Sequence, residues 1–159
     1  MIYRDDDVSK YTDLTTIMKI HELFVLYNKV HTVTLLMEDL WESKGIWYWL
    51  MTAPNIDIAL HGWGHSDYSK MTYDEIRENL LKCVIYWESN IVRGGWKYKK
   101  LTTFYPPWNK VSDDLRRVCE VCDLKINDCV DASKVYNFHW WTCITQKGLN
   151  ELEEVLKND

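Results

Sequence analysis

A chain of 159 residues, 47% hydrophobic and 27% charged, has an ordinary globular composition sized for a single domain over 1–159, which excludes fibrous and disordered classes. The net charge is −5 and basic residues cluster only at Lys97, Lys99 and Lys100, so the basic stripe expected of a nucleic-acid partner is missing. No apolar run reaches the roughly 18 residues of a membrane span and no basic-then-apolar leader opens the chain; a cytoplasmic location is expected, with export by another route left open.

In chain order, MIYR reads as a strand that ends at three consecutive acids, Asp5, Asp6 and Asp7. TDLTTIMKIHELFVLYN puts Leu14, Ile17, Met18 and Ile20 on one helical face, with Thr12 placed to cap it. HTVTLLM reads as a second strand, and EDLWESKGIWYWLM as a helix weakened by Gly45. NIDIALHG alternates as a third strand ending at His61. MTYDEIRENLLKCVIYWESNIV is the clearest helix, opened by a Thr72/Glu75 capping box. KLTTFYPPW is a short strand running into a rigid loop, and SDDLRRVCEVCD a helix capped by Ser112. KVYNFHWW is a late strand, and ITQKGLNELEEVL a closing amphipathic helix. Alternating strands and helices imply parallel strands joined by crossover helices, an α/β sheet or a barrel.

Five cysteines, an odd number, without a leader favour free thiols in a reducing compartment. Cys119, Cys122 and Cys129 have the spacing of a partial zinc site, but no fourth ligand is evident, and a buried helix face accounts better for the first two. Nine tryptophans and ten tyrosines supply a ring-rich core or line a groove for a ring-shaped ligand.

In parallel α/β folds function gathers at the carboxyl ends of the strands. Four polar or rigid groups fall there: Asp5 to Asp7, the pair His61 and His65, the run Tyr105 to Asn109, and His139. Adjacent carboxylates repel, so the triplet needs a cation or a proton. Two neutral imidazoles and one carboxylate form a catalytic zinc set with a position left for water. A second aspartate is then available as general base, and Arg4 to compensate another of the acids. His21 and His31 fall outside this constellation and read as surface or packing histidines.

Asp-Asp at the end of the first strand, then His-x-x-x-His, an aromatic-proline loop and a late His: in this order the chain resembles the polysaccharide deacetylase family of metal-dependent carbohydrate esterases over nearly its whole length. The resemblance rests on RDDDVS, HGWGH, FYPPWN and YNFHWW. It implies a distorted and, at this length, incomplete (β/α) barrel, one divalent metal, most often Zn²⁺, and removal of acetyl groups from N-acetylated glycans or oligosaccharides. On this alignment Asp7, His61 and His65 are the metal ligands, Asp6 the catalytic base and His139 the catalytic acid. A register one residue earlier would assign Asp6 and Asp5 instead of Asp7 and Asp6. Arg4, Tyr105, Pro106, Pro107, Trp108 and Asn109 would border the substrate.

The chain departs from the family pattern in three places. Gly62 stands where Ser or Thr is usual. Tyr105 stands where many relatives carry an arginine that orients the base, a role Arg4 could take over. The Asp that would hold His139 has no clear match, Asp128 and Asp131 being the candidates. The resemblance further implies an oxyanion held by the metal and by a backbone N–H near Tyr105, and sugar stacking by Trp63, Trp108, Trp140 or Trp141. Two alternatives are a glycan-binding protein without catalysis and a deacylase of a small acylated metabolite.

Overall fold

The computed structural model describes residues 1–127 and 132–159. The first strand does not stop at the acidic triplet: β1 covers Ile2–Val8. It is followed by α1 (Leu14–Leu26), β2 (His31–Leu36), α2 (Lys44–Thr52), β3 (Ile56–Gly62), α3 (Tyr73–Gly94), β4 (Thr103–Phe104), α4 (Asp113–Val121), β5 (Lys125–Ile126), β6 (Val135–His139) and α5 (Gln146–Asn158). The six strands form one sheet in the order β5-β4-β3-β2-β1-β6, and every neighbouring pair is parallel. β5 and β6 are its edges, so the sheet is open, an incomplete barrel of parallel strands with crossover helices.

The helices pack on one face of this sheet. Strand alternation gives that face Tyr3, Val33, Leu35, Leu60, Phe104 and Phe138, all buried. Against them lie Ile17, Ile20 and Phe24 of α1, Trp47 and Leu50 of α2, Leu80 and Trp87 of α3, Leu115 and Val118 of α4, and Leu152 and Leu156 of α5. Burying each of these side chains contributes about 1.5–3 kcal/mol. These parallel strands carry their helices on one face, as the strands of a (β/α) barrel do, and the opposite face is the inner one. That inner face is polar: Arg4, Asp6, Thr32, Thr34 and His61 are all buried on or beside it.

Local signals explain most element ends. α3 opens with the expected capping box, in which Thr72 and Glu75 bond each other's backbone and side chain, and closes on Gly95 at φ 67°. Ser112 caps α4 and Thr145 caps α5. α1 is capped by Asp13, not Thr12: the Asp13 carboxylate accepts the Thr16 N–H at 2.8 Å, while the Thr12 hydroxyl accepts the Ser9 N–H at 2.9 Å. Met18 is exposed; the buried stripe of α1 is Ile17, Ile20, His21 and Phe24. The segment read as one helix after β2 is a 3-10 turn at Leu40–Glu42 followed by α2. Cys83 and Cys119 are buried where α3 meets α4, and burial pushes each thiol up to about 12, as suits packed free cysteines. Cys129, Asp128 and Asp131 lie outside the described residues. No helix among the described residues is long and apolar enough to cross a membrane.

Candidate active site

Consecutive strand residues point to opposite faces, so three adjacent acids cannot all reach one site without a break in the strand. β1 supplies that break at Asp7. Its φ of 62° is left-handed, and the pairing with β2 slips between Asp5 and Val8. The bulge brings the Asp7 carboxylate to the same side as Asp6. Such strain in a non-glycine residue costs on the order of 1–3 kcal/mol and persists only where the surroundings enforce it.

The three acids are neutralised in three ways. Asp5 lies on the helix-covered face, fully buried, with the His31 Nε2 at 3.4 Å. Burial pushes its carboxyl well above the usual range, against the pull of the Trp140 N–H, and Asp6 and Asp7 push it further. The protonated form of this carboxyl is therefore favoured. Asp6 faces inward, 4% exposed, with each oxygen holding a donor: the Thr34 hydroxyl on Oδ1 at 2.8 Å and the Arg4 guanidinium on Oδ2 at 2.8 Å. Arg4 also donates to Asn109 Oδ1 at 3.1 Å and lies over the Tyr105 ring, 4.8 Å from its centroid. Arg4 thus holds Asp6 from within β1, with the Tyr105 ring stacked on its guanidinium.

Asp7 meets the histidines. His61 Nε2 is 3.3 Å and His65 Nε2 3.5 Å from its Oδ1, and His139 Nε2 is 3.6 Å from its Oδ2. One ligand atom each from Asp7, His61 and His65 lies within 4.8 Å of the others. Burial alone would raise the Asp7 carboxyl, but the hydrogen bond that a protonated His61 would donate, and the positive charge that His61, His65 and His139 carry when protonated, outweigh it and lower it. Burial lowers His65, overriding the attraction of Asp7, so its ring is biased toward the neutral form.

The hydrogen bonding of His61 shows whether a cation fits. Its Nδ1 is 2.6 Å from the Tyr105 carbonyl, which can only accept, so Nδ1 carries the proton. In a neutral ring Nε2 then turns a lone pair toward Asp7 Oδ1, which is buried and has no hydrogen-bond partner among the described residues. Lone pairs converging on an orphaned carboxylate oxygen repel one another until a cation sits among them. The donor set of two imidazole nitrogens and one carboxylate suits zinc or a similar divalent ion, and the Tyr105 carbonyl fixes the tautomer that leaves Nε2 free.

Sheet register sets the remaining positions. Asp6 pairs directly with His139 across β1 and β6, which brings the two residues nominated as base and acid to one strand end. Pro106 and Pro107 are buried and stiffen the loop, while Trp108 (φ 54°) and Asn109 (φ 55°) take left-handed conformations. Trp108, 55% exposed, sets its ring edge-on to His65 with centroids 4.2 Å apart. Trp141, 43% exposed, stacks on His139 at 4.4 Å. Trp63 and Trp140 instead pack against the core. The Tyr105 N–H, the nearest backbone donor expected to serve an oxyanion, is bonded to the Leu60 carbonyl at 2.9 Å and is not free for that role.

Two features of the surroundings are not among the residues nominated from the sequence. Thr34 holds Asp6, and alternation against Val33 and Leu35 is the signal that turns Thr32 and Thr34 toward the inner face. His21 and His31 form a buried pair, Nδ1 to Nδ1 at 3.2 Å, that extends from Asp5 into α1.

No family model and no curated protein matches the sequence. Solved structures match over 99% of the chain. One is a family 4 carbohydrate esterase pseudoenzyme from Bacillus anthracis, at 15% identity and TM-score 0.72. Another is the peptidoglycan deacetylase PdaC from Bacillus subtilis, at 14% and 0.71. A third is a family 4 acetyl xylan esterase from Clostridium thermocellum in complex with cobalt, at 17% and 0.71. The chain spans 60% of the first of these and 81% and 83% of the other two. At such identities the likeness is one of fold: the chain has the fold of the family 4 carbohydrate esterases.

Proposed function

We propose that the protein is a metal-dependent deacetylase of N-acetylated sugars, acting on a glycan or oligosaccharide. The observation that carries this reading is the convergence of Asp7, His61 and His65 on one orphaned carboxylate oxygen, directly beside the Arg4–Asp6 pair and His139. The fold relatives include a peptidoglycan deacetylase and an acetyl xylan esterase, which fits an acetylated glycan as substrate.

Asp7, His61 and His65 would hold a divalent ion, zinc by preference. When bound, that ion supplies Lewis acidity toward the acetyl carbonyl and lowers the pKa of water. Asp6, fixed by Thr34 and Arg4, receives a proton from the attacking water on its carboxylate. The water oxygen bonds to the carbonyl carbon, and the C–N bond breaks as His139 Nε2 delivers a proton to the departing nitrogen. Acetate and a free amine result. Trp108 beside His65 and Trp141 beside His139, both exposed, would stack on pyranose faces.

The test is release of acetate from N-acetylated chitooligosaccharides by the zinc-loaded protein, with Asp6→Asn as control. Acetate from the parent and none from the variant supports the reading. Saturable oligosaccharide binding with no acetate from either protein overturns catalysis in favour of a glycan-binding protein, the reading that kinship of fold with a pseudoenzyme suggests. Turnover confined to acylated monosaccharides or small amides would move the substrate to a small metabolite.

A further inference from the structure

The loop after β3 doubles back sharply, since the strand ends at Gly62, one residue past His61, and His65 must return to the same point four residues after His61. Gly62 makes the return possible. Its φ of 114° is a conformation that L side chains rarely adopt, and a Cβ there would overlap the Tyr68 hydroxyl. The glycine is therefore paired with a specific neighbour. Tyr68 is fully buried, with its ring edge-on to Phe104 at 5.2 Å, and its hydroxyl donates a hydrogen bond to Asn79 Oδ1. The same oxygen of Asn79, which is half-buried on α3, accepts the N–H of Trp63 at 3.3 Å.

The loop backbone is held from the other side by β2 and its continuation. The Gly62 carbonyl accepts the Met37 N–H at 3.0 Å, and the Trp63 carbonyl accepts the Glu38 N–H at 2.9 Å. Beyond Trp63, a local bond from the Ser66 N–H to the Gly64 carbonyl, 2.8 Å, shapes the turn around His65. The side chain of His65 is 34% exposed, and its placement depends on where residues 62 and 63 are fixed. The amide oxygen of Asn79 ties this loop to the rigid α3.

We propose that Tyr68 and Asn79 are positioning residues for the metal ligands: they clamp the Gly62–Trp63 peptide so that His61 and His65 present their Nε2 atoms to Asp7 together. This rests on the metal reading above and deepens it by assigning two residues outside the ligand set. Outer partners of metal-binding histidines commonly carry about 10–100-fold in metal affinity when removed.

Two readouts on Tyr68→Phe, Asn79→Ala and Asn79→Asp test the clamp. The first needs no metal: amide hydrogen exchange of Trp63 in the metal-free protein. Exchange of this amide is expected to be about tenfold faster or more in Asn79→Ala and close to parental in Asn79→Asp, which keeps an acceptor oxygen. The amides of Ile58 to Leu60 serve as the internal control and should not change. The second readout is Zn²⁺ affinity by competition with a chromogenic chelator. It should fall about tenfold in Tyr68→Phe and Asn79→Ala and recover in Asn79→Asp.

Parental exchange at Trp63 in Asn79→Ala overturns the clamp. Faster exchange with unchanged Zn²⁺ affinity overturns its positioning role. A parent protein that binds no Zn²⁺, while the exchange pattern holds, upholds the clamp as a device of the loop and defeats the metal reading instead.

Discussion

Arg4 and Asp6 form a buried ion pair whose disruption has a calculable cost. The two residues are 1% and 4% exposed, joined at 2.8 Å, and Thr34 satisfies the other oxygen of Asp6. Replacing Arg4 with methionine keeps much of the side-chain volume beneath Tyr105 but leaves Asp6 charged, buried and without the guanidinium on Oδ2. Removing one partner of a buried pair costs about 3–5 kcal/mol. With a urea dependence of about 2 kcal/mol per molar, the unfolding midpoint should fall by about 1.5–2.5 M. The double variant Arg4→Met/Asp6→Asn should regain most of that loss, because the neutral amide still accepts from Thr34 and no charge remains uncompensated. Urea titrations of the parent, both single variants and the double variant, followed by tryptophan fluorescence, measure the coupling directly. If Arg4→Met lies within about 1 kcal/mol of the parent, or the double variant is no more stable than Arg4→Met, the pair is not what holds Asp6 in place.

Other consequences are equally open to measurement. Asp6→Asn should keep Zn²⁺ and lose turnover, whereas Asp7→Asn should weaken Zn²⁺ binding; the reverse pattern would select the alternative register of the triplet. Burial lowers His21 to about 4 and His31 to about 3, so both rings are neutral in the fold and take up protons on unfolding. Their contribution to stability is present above about pH 6.5 and declines as pH falls toward 4, by about 1.4 kcal/mol per unit for each ring. The stability gap between the parent and His21→Gln should accordingly narrow by about 2 kcal/mol from about pH 6.5 to about pH 5; a pH-independent gap would contradict the neutral pair. Trp108→Ala and Trp141→Ala should raise KM for chitooligosaccharides with little change in kcat, since stacking on sugar rings contributes about 1 kcal/mol per ring before and during reaction.

The periodic parts of the chain were legible in the sequence. α3 follows from its capping box and apolar stripe, α4 from Ser112, and the parallel order from the alternation of strands with helices. The groups at the strand ends also come together in the fold as their order implied. What the sequence does not show is backbone conformation at single residues. Three acids look like the end of a strand because strands disfavour Asp, yet β1 continues through them, since each acid finds its own means of neutralisation. The left-handed turn at Asp7 that puts two neighbouring carboxylates on one face has no sequence signature, Asp being tolerated there but not diagnostic. β4 and β5 are two residues each, too short for any period to register. Gly62 looks like a defect in a motif; its φ and the hydroxyl of Tyr68 make it a requirement. His21 and His31 give no hint of burial, because imidazole occurs readily on surfaces and in cores.

The most direct measurement is the Zn²⁺ content of the protein beside that of the His61→Ala/His65→Ala variant, each dialysed against metal-free buffer after incubation with zinc. One equivalent in the parent and almost none in the variant is the expected result, because Asp7 alone cannot hold the ion. Zinc retained by the variant, or absent from both proteins, would contradict a metal centre built on Asp7, His61 and His65.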